Sequence, residues 1–117
     1  MSIKRITLPV LKNIEGTNIT NDNDTIKSIL PKLKEEYEEF IEAVENNHDI
    51  AHQLEEYFDL GQTLIRLGKA FIRDGIDLEK ASKVHYNKLK TRNWVFDNHI
   101  DIYFSIRESK QKLPKNN

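Results

Sequence analysis

Residues 26–45 read IKSILPKLKEEYEEFIEAVE, and the spacing of their apolar side chains decides the class of fold. Ile26, Ile29, Leu30, Leu33, Tyr37, Phe40, Ile41 and Val44 recur every three or four positions, the period of an α-helix carrying one apolar stripe. Pro31 falls inside the stripe, so it either opens the helix within its first turn or kinks a longer one. Asn46-Asn47-His48 ends the segment, and Asp49 is placed to cap a second helix.

Working outward, the second helix is expected over Ile50 to Arg73. Its apolar positions are Leu54, Tyr57, Phe58, Leu60, Leu64, Ile65, Leu67, Phe71 and Ile72, a broad face that predicts a central, well-buried element. Gly61 and Gly68 stand seven apart, on one face, where they permit close helix approach. Asp74-Gly75 makes a turn, and Asp77 is the expected cap of a third helix running through Ala81, Val84, His85, Lys88 and Leu89 to about Trp94. Upstream, residues 17–25 are turn-formers and read as a loop. Residues 1–16 place apolar side chains at Ile3, Ile6, Leu8, Val10, Leu11 and Ile14, with Gly16 as a stop, and Pro9 leaves a short helix and an extended arm both open. Downstream, Ile100, Ile102, Phe104 and Ile106 alternate as in a strand, whereas Phe96, Ile100, Tyr103 and Arg107 fit a helix. A lone strand has no partner, so a helix is expected, with residues 110–117 frayed.

The chain of 117 residues suits one domain. Charged residues make up 32% and apolar ones 38%, as in a soluble globular protein. Eighteen Lys and Arg face nineteen Asp and Glu, a net charge of −1 that argues against a general nucleic-acid binder. There is no cysteine, which excludes disulfides and thiolate chemistry and leaves oxygen or imidazole ligands for any metal. No apolar run has the length of a membrane span, and the N-terminus does not read as a secretory signal, so no membrane partner and a cytoplasmic location are expected.

The chemistry lies in the carboxylates. The first helix carries Glu35-Glu36-Tyr37-Glu38-Glu39 and the second Glu55-Glu56-Tyr57-Phe58-Asp59. Glu36 with Glu39, and Glu56 with Asp59, are i,i+3 pairs, about 60° apart on a helix surface. Helices joined by a short loop run antiparallel, so the two pairs can meet across one groove. Four converging carboxylates repel unless a cation lies among them, and a hard divalent ion such as Mg²⁺ suits all-oxygen ligands, with Mn²⁺ as a substitute. A single Glu-x-x-Glu usually marks nothing more than a solvated helix face, as Glu38, Glu42 and Glu45 are expected to do.

The pattern Glu-Glu-x-x-Glu (Glu35, Glu36, Glu39) followed by Glu-x-x-Asp (Glu56, Asp59) resembles the signature of the all-α NTP pyrophosphatases. These are the MazG-like enzymes, related to dimeric dUTPases and phosphoribosyl-ATP pyrophosphohydrolases. The resemblance covers about residues 26–94. It implies an all-α helical bundle completed by oligomerisation, as a homodimer or homotetramer. It divides the chain into an N-terminal arm and loop (1–25), a catalytic helical domain (26–96) and a C-terminal extension (97–117). It further implies Mg²⁺-dependent hydrolysis of a nucleoside triphosphate to the monophosphate and pyrophosphate, with Glu36, Glu39, Glu56 and Asp59 as metal ligands. Glu35 matches the leading Glu and is the candidate catalytic residue, orienting water or touching a second metal.

His85, Lys88 and Arg92, spaced i, i+3, i+7, form one polar line along the third helix. A Lys point charge and an Arg fork suit a triphosphate. The segment resembles the family's Lys-x-x-x-Arg element, which implies phosphate contacts by Lys88 and Arg92, with His85 beside them. Related chains often show Gly or a second Arg where this one has Asn93, and an Asn two residues before the Lys where this one has Tyr86. Asn87 stands one residue displaced from that position. His48, His52 and His99 have no zinc spacing. Tyr37, Tyr57, Phe58 and Trp94, at helical spacing, are read as core rather than as base-stacking residues. Two rivals stand beside this expectation: a dUTPase confined to dUTP and dUDP, and a non-enzymatic helical oligomerisation module.

Overall fold

The structure, a computed structural model, describes residues 2–106. It contains three helices, α1 (Ile26–Glu45), α2 (Ile50–Arg73) and α3 (Leu78–Thr91), and among the described residues no strand beyond an isolated antiparallel bridge between Asn13 and Thr20. The regular structure of the described residues is therefore all-helical. No described helix is long and apolar enough to cross a membrane.

The starts of α1 and α2 and the ends of all three helices follow from local chemistry. Thr25 and Ser28 form a reciprocal capping box, the Thr25 Oγ1 accepting from the Ser28 amide at 3.0 Å and the Ser28 Oγ from the Thr25 amide at 2.9 Å. α1 thus begins at Ile26, five residues before Pro31, and runs through that proline. Asp49 caps α2 by accepting from the His52 amide at 2.9 Å. All three C-termini close in one way. A residue with positive φ (Asn47 at 55°, Gly75 at 84°, Asn93 at 66°) sends its amide to the third carbonyl back, and the next amide reaches the fifth. Asn and Gly tolerate the left-handed region best, so Asn93 ends α3 as a helix stop, earlier than the expected Trp94.

The chain divides into two compact units, Met1–Glu79 and Lys80–Asn117. In the first, α1 packs on α2, and the N-terminal arm is extended rather than helical. Leu8 lies over Gly61, where a Cβ would stand 3.8 Å from the Leu8 Cδ1, so this glycine meets the arm. Three cations spaced i, i+3, i+7 on α2 fasten the loop before α1. Arg66 grips buried Asp24 bidentately, with its Nη2 donating to Oδ1 at 2.7 Å. Lys69 donates to the Leu11 carbonyl at 3.2 Å, and Arg73 to the Asp22 carbonyl at 2.7 Å. Lys12 adds an ion pair to Asp22 at 2.9 Å.

The apolar stripe of α1 splits. Ile29 and Ala43 are buried and Leu33, Phe40 and Ile41 half-buried, while Leu30, Tyr37 and Val44 remain exposed. On α2 only Thr63, Gly68 and Ala70 are buried, and Ile50, Leu54, Tyr57, Leu64 and Phe71 face solvent. The expectation of a well-buried α2 is corrected: two packed helices cover one line of each other, and a stripe this wide has a second line left over.

In the second unit α3 has no buried residue. The helix expected after Phe96 does not form over the described residues: 95–106 are neither helix nor strand. Asp97 and Asn98 favour turns, the Asn98 Oδ1 accepts from the His99 amide at 2.9 Å, and the β-branched isoleucines that follow are weak helix formers. Phe96 packs edge-on against Tyr86 of α3, ring centroids 4.8 Å apart. The expected fraying of 110–117 lies outside the described residues.

Candidate metal centre

α1 and α2 run antiparallel across the short connection 46–49, and the Asp24–Arg66 pair marks which residues lie opposite one another. Twelve residues along α1 from Asp24 and ten back along α2 from Arg66 are about 18 and 15 Å at 1.5 Å per residue, which brings Glu36 level with Glu56. The two expected carboxylate pairs do meet. Glu36, Glu56 and Asp59 offer oxygens all within 4.8 Å of one another, and so do Glu35, Glu36 and Glu39. Glu36 belongs to both groups. Glu39 also contacts Glu56 across the helix interface, which joins the groups into one cluster of five.

Glu36 is the pivot. It is 5% exposed, its Oε2 is buried without a hydrogen-bond partner, and Glu56 Oε2 is likewise buried and unpartnered. A buried carboxylate oxygen without a donor is costly unless a cation is its partner. An oxygen-only donor set of this size fits a hard divalent ion. Glu39 and Glu35 are exposed at the rim, and Asp59 and Glu56 are half-buried.

Two of the acids are held above their usual pKa values by their surroundings. Glu39 lies above the usual glutamate value, chiefly because of the negative charge of Glu36, then by desolvation and contact with Glu56. Asp59 is also raised, first by burial and then by the charges of Glu55 and Glu56. One cation reaches the cluster among the described residues. Lys32, one turn before Glu36, places its Nζ 3.0 Å from Glu36 Oε1 and 3.5 Å from Glu35 Oε1. The carboxylate motif passed over this residue, although its i,i+4 spacing to Glu36 is legible in the sequence.

His85 and Lys88 lie exposed on α3, and Arg92 is exposed in the turn just past its end, all three in the second unit. Lys88 and Leu89 serve the helix stop, their carbonyls both accepting from the Arg92 amide. Tyr86 and Asn87, with Ser82, Lys83, His99, Ile100 and Asp101, line an open cleft of about 580 Å³ in that unit. The His48 and His52 rings stack at 4.5 Å, and His99 pairs with Asp101 at 3.6 Å. No histidine joins a metal-capable group among the described residues. Of the four aromatics read as core, Phe58 is half-buried, and Tyr37, Tyr57 and Trp94 are exposed. No protein-family model, no curated protein and no solved structure matches this chain.

Proposed function

We propose that this chain is a Mg²⁺-dependent nucleoside triphosphate pyrophosphohydrolase with a fold of the all-α NTP pyrophosphatase type. The observation that carries the proposal is the buried, unpartnered Glu36 oxygen at the junction of two carboxylate groups drawn from two helices. A solvated acidic face has no reason to bury a carboxylate oxygen without a donor among others of like charge. Glu36, Glu39, Glu56 and Asp59 would hold the ion, with Mn²⁺ able to replace it. Mg²⁺, when bound, supplies charge neutralisation to the phosphate oxygens.

The protein's own groups have separate tasks. Glu35, exposed at the rim, accepts a proton from the attacking water as its oxygen bonds to the α-phosphorus. The anhydride bond to the β-phosphate then breaks, giving the monophosphate and pyrophosphate. His85, Lys88 and Arg92 are the residues assigned to phosphate binding, where Lys acts as a point charge and Arg as a fork.

Oligomerisation belongs to the same proposal. Leu30, Tyr37 and Val44 on α1, and Ile50, Tyr57, Leu64 and Phe71 on α2, stand exposed at intervals of seven. Heptad rows of apolar side chains are what a helix presents to another helix, and a second copy of the chain supplies matching rows. A homodimer, or a dimer of dimers, follows, and a monodisperse monomer by light scattering would refute it.

The deciding experiment is hydrolysis of a panel of canonical and modified NTPs and dNTPs, dUTP and dUDP included, with Mg²⁺ or EDTA, separating pyrophosphate from orthophosphate. Metal-dependent release of pyrophosphate with the matching monophosphate is expected, and turnover of the uracil nucleotides alone would make the enzyme a dUTPase. No turnover, with no effect of Mg²⁺ on melting, leaves the exposed heptad rows as the chain's business and makes it an oligomerisation module.

A further inference from the structure

We infer that Lys32 is the resident counter-cation of the carboxylate cluster, and that a divalent ion must displace it from Glu36 in order to bind. This rests on the metal-centre proposal above. The Lys32 ammonium lies 3.0 Å from Glu36 Oε1, while Oε2 of the same buried carboxylate has no partner. Glu36 is the one acid common to both carboxylate groups, so any ion that joins them engages it. Mg²⁺ binds oxygen at about 2.1 Å, and an ammonium held on the same carboxylate would put three positive charges within a few ångström. The two cations therefore exclude one another.

The side chain is built to leave. Lys32 is 45% exposed and already touches Glu35, itself 55% exposed, at 3.5 Å. Swinging out into solvent opens no core and vacates Glu36 Oε1. Lys32 is thus a positioning residue: it neutralises part of the cluster in the metal-free protein and lowers the affinity for the ion that replaces it.

The test is calorimetric titration of the full chain with MgCl₂, for wild type, Lys32→Met, Lys32→Gln and Lys34→Met, with melting of each in EDTA. Lys34 is two residues on and about 200° round α1, so its variant removes the same charge from another side. Both Lys32 variants are expected to bind Mg²⁺ roughly tenfold more tightly than wild type (about 1.4 kcal/mol). Lys34→Met should change affinity less than about twofold, as befits a screened charge at a distance. In EDTA the Lys32 variants should melt below wild type, because the cluster has lost its counter-charge. Wild-type binding with unchanged or weaker binding by both Lys32 variants overturns the inference and leaves the metal centre standing. Absence of Mg²⁺ binding by every variant overturns both.

Discussion

Replacing Glu36 by Gln should stabilise the metal-free protein and abolish its response to Mg²⁺. Glu36 shares a 4.8 Å sphere with Glu56 and Asp59. Two unit charges at that distance repel by about 0.9 kcal/mol in a water-like medium and about 3.5 kcal/mol at an effective dielectric of 20. Against the relief of these two repulsions, those from the exposed Glu35 and Glu39 being screened by water, stands the loss of one attraction, to Lys32 at 3.0 Å. On the same scale that attraction is about 1.4 to 5.5 kcal/mol, reduced by the half-exposure of the lysine. The balance favours the amide by about 0.5–1.5 kcal/mol, which corresponds to a rise in melting temperature of roughly 2–6 °C for a domain of this size. The wild type should gain about 2.7 kcal/mol from Mg²⁺ at a hundredfold excess over its Kd, and the variant, lacking the shared ligand, very little. The assay is thermal unfolding of both proteins in EDTA and in Mg²⁺ at pH 8. The order of the two melting temperatures should invert between the two conditions. A variant that melts below wild type in EDTA, or one that gains as much from Mg²⁺, refutes the assignment of Glu36 as the buried ligand of a cation site.

Glu39→Ala and Asp59→Ala should each lower nucleotide turnover at least about 100-fold at saturating Mg²⁺, with helix content by circular dichroism unchanged; wild-type rates would remove these residues from the site. Lys88→Ala should raise KM for the triphosphate with melting unaltered, and unchanged kinetics would return Lys88 to an ordinary surface role. The raised pKa values of Glu39 and Asp59 mean that the folded protein binds protons more readily than the unfolded chain, whose values are near 4.5 and 3.8. Their contribution to stability is complete below those values and is lost as pH rises through the folded ones. In EDTA the melting temperature should therefore rise on acidification toward pH 5, and with Mg²⁺ the trend should reverse as protons displace the ion; parallel profiles with and without Mg²⁺ would contradict this. Asp24→Ala leaves Arg66 without its buried partner and should cost about 2–3 kcal/mol, read from the urea midpoint, with part recovered in the Asp24→Ala/Arg66→Met double variant. A loss under about 0.5 kcal/mol would show that the clamp does not hold the loop.

Much of this protein was legible along the chain because the signals were local. The 3.6-residue period of Ile29, Leu33, Phe40 and Ile41, the cap at Asp49 and the stop at Asp74-Gly75 each act within a few residues, and α1 and α2 lie where those signals place them. The i,i+3 carboxylate pairs are likewise a property of one helix surface. The tail misled because alternation and helical period were both present in a short run, and neither had a neighbour to select it. Residues 95–106 then took the turn preference of Asp97 and Asn98 instead.

The positions of the three helices, the Asp49 cap of α2 and the acids that α1 and α2 present can be read from the chain. That Glu36 is the buried member of the cluster while Glu39 and Glu35 stay at the rim, that Lys32 answers it, and that Arg66, Lys69 and Arg73 hold the arm and loop appears only in three dimensions. The physical reason is range. Helix propensity and capping are settled over one or two turns. Burial and counter-charge depend on how two helices meet, and so on contacts between residues as far apart as Asp24 and Arg66, 42 positions along the chain.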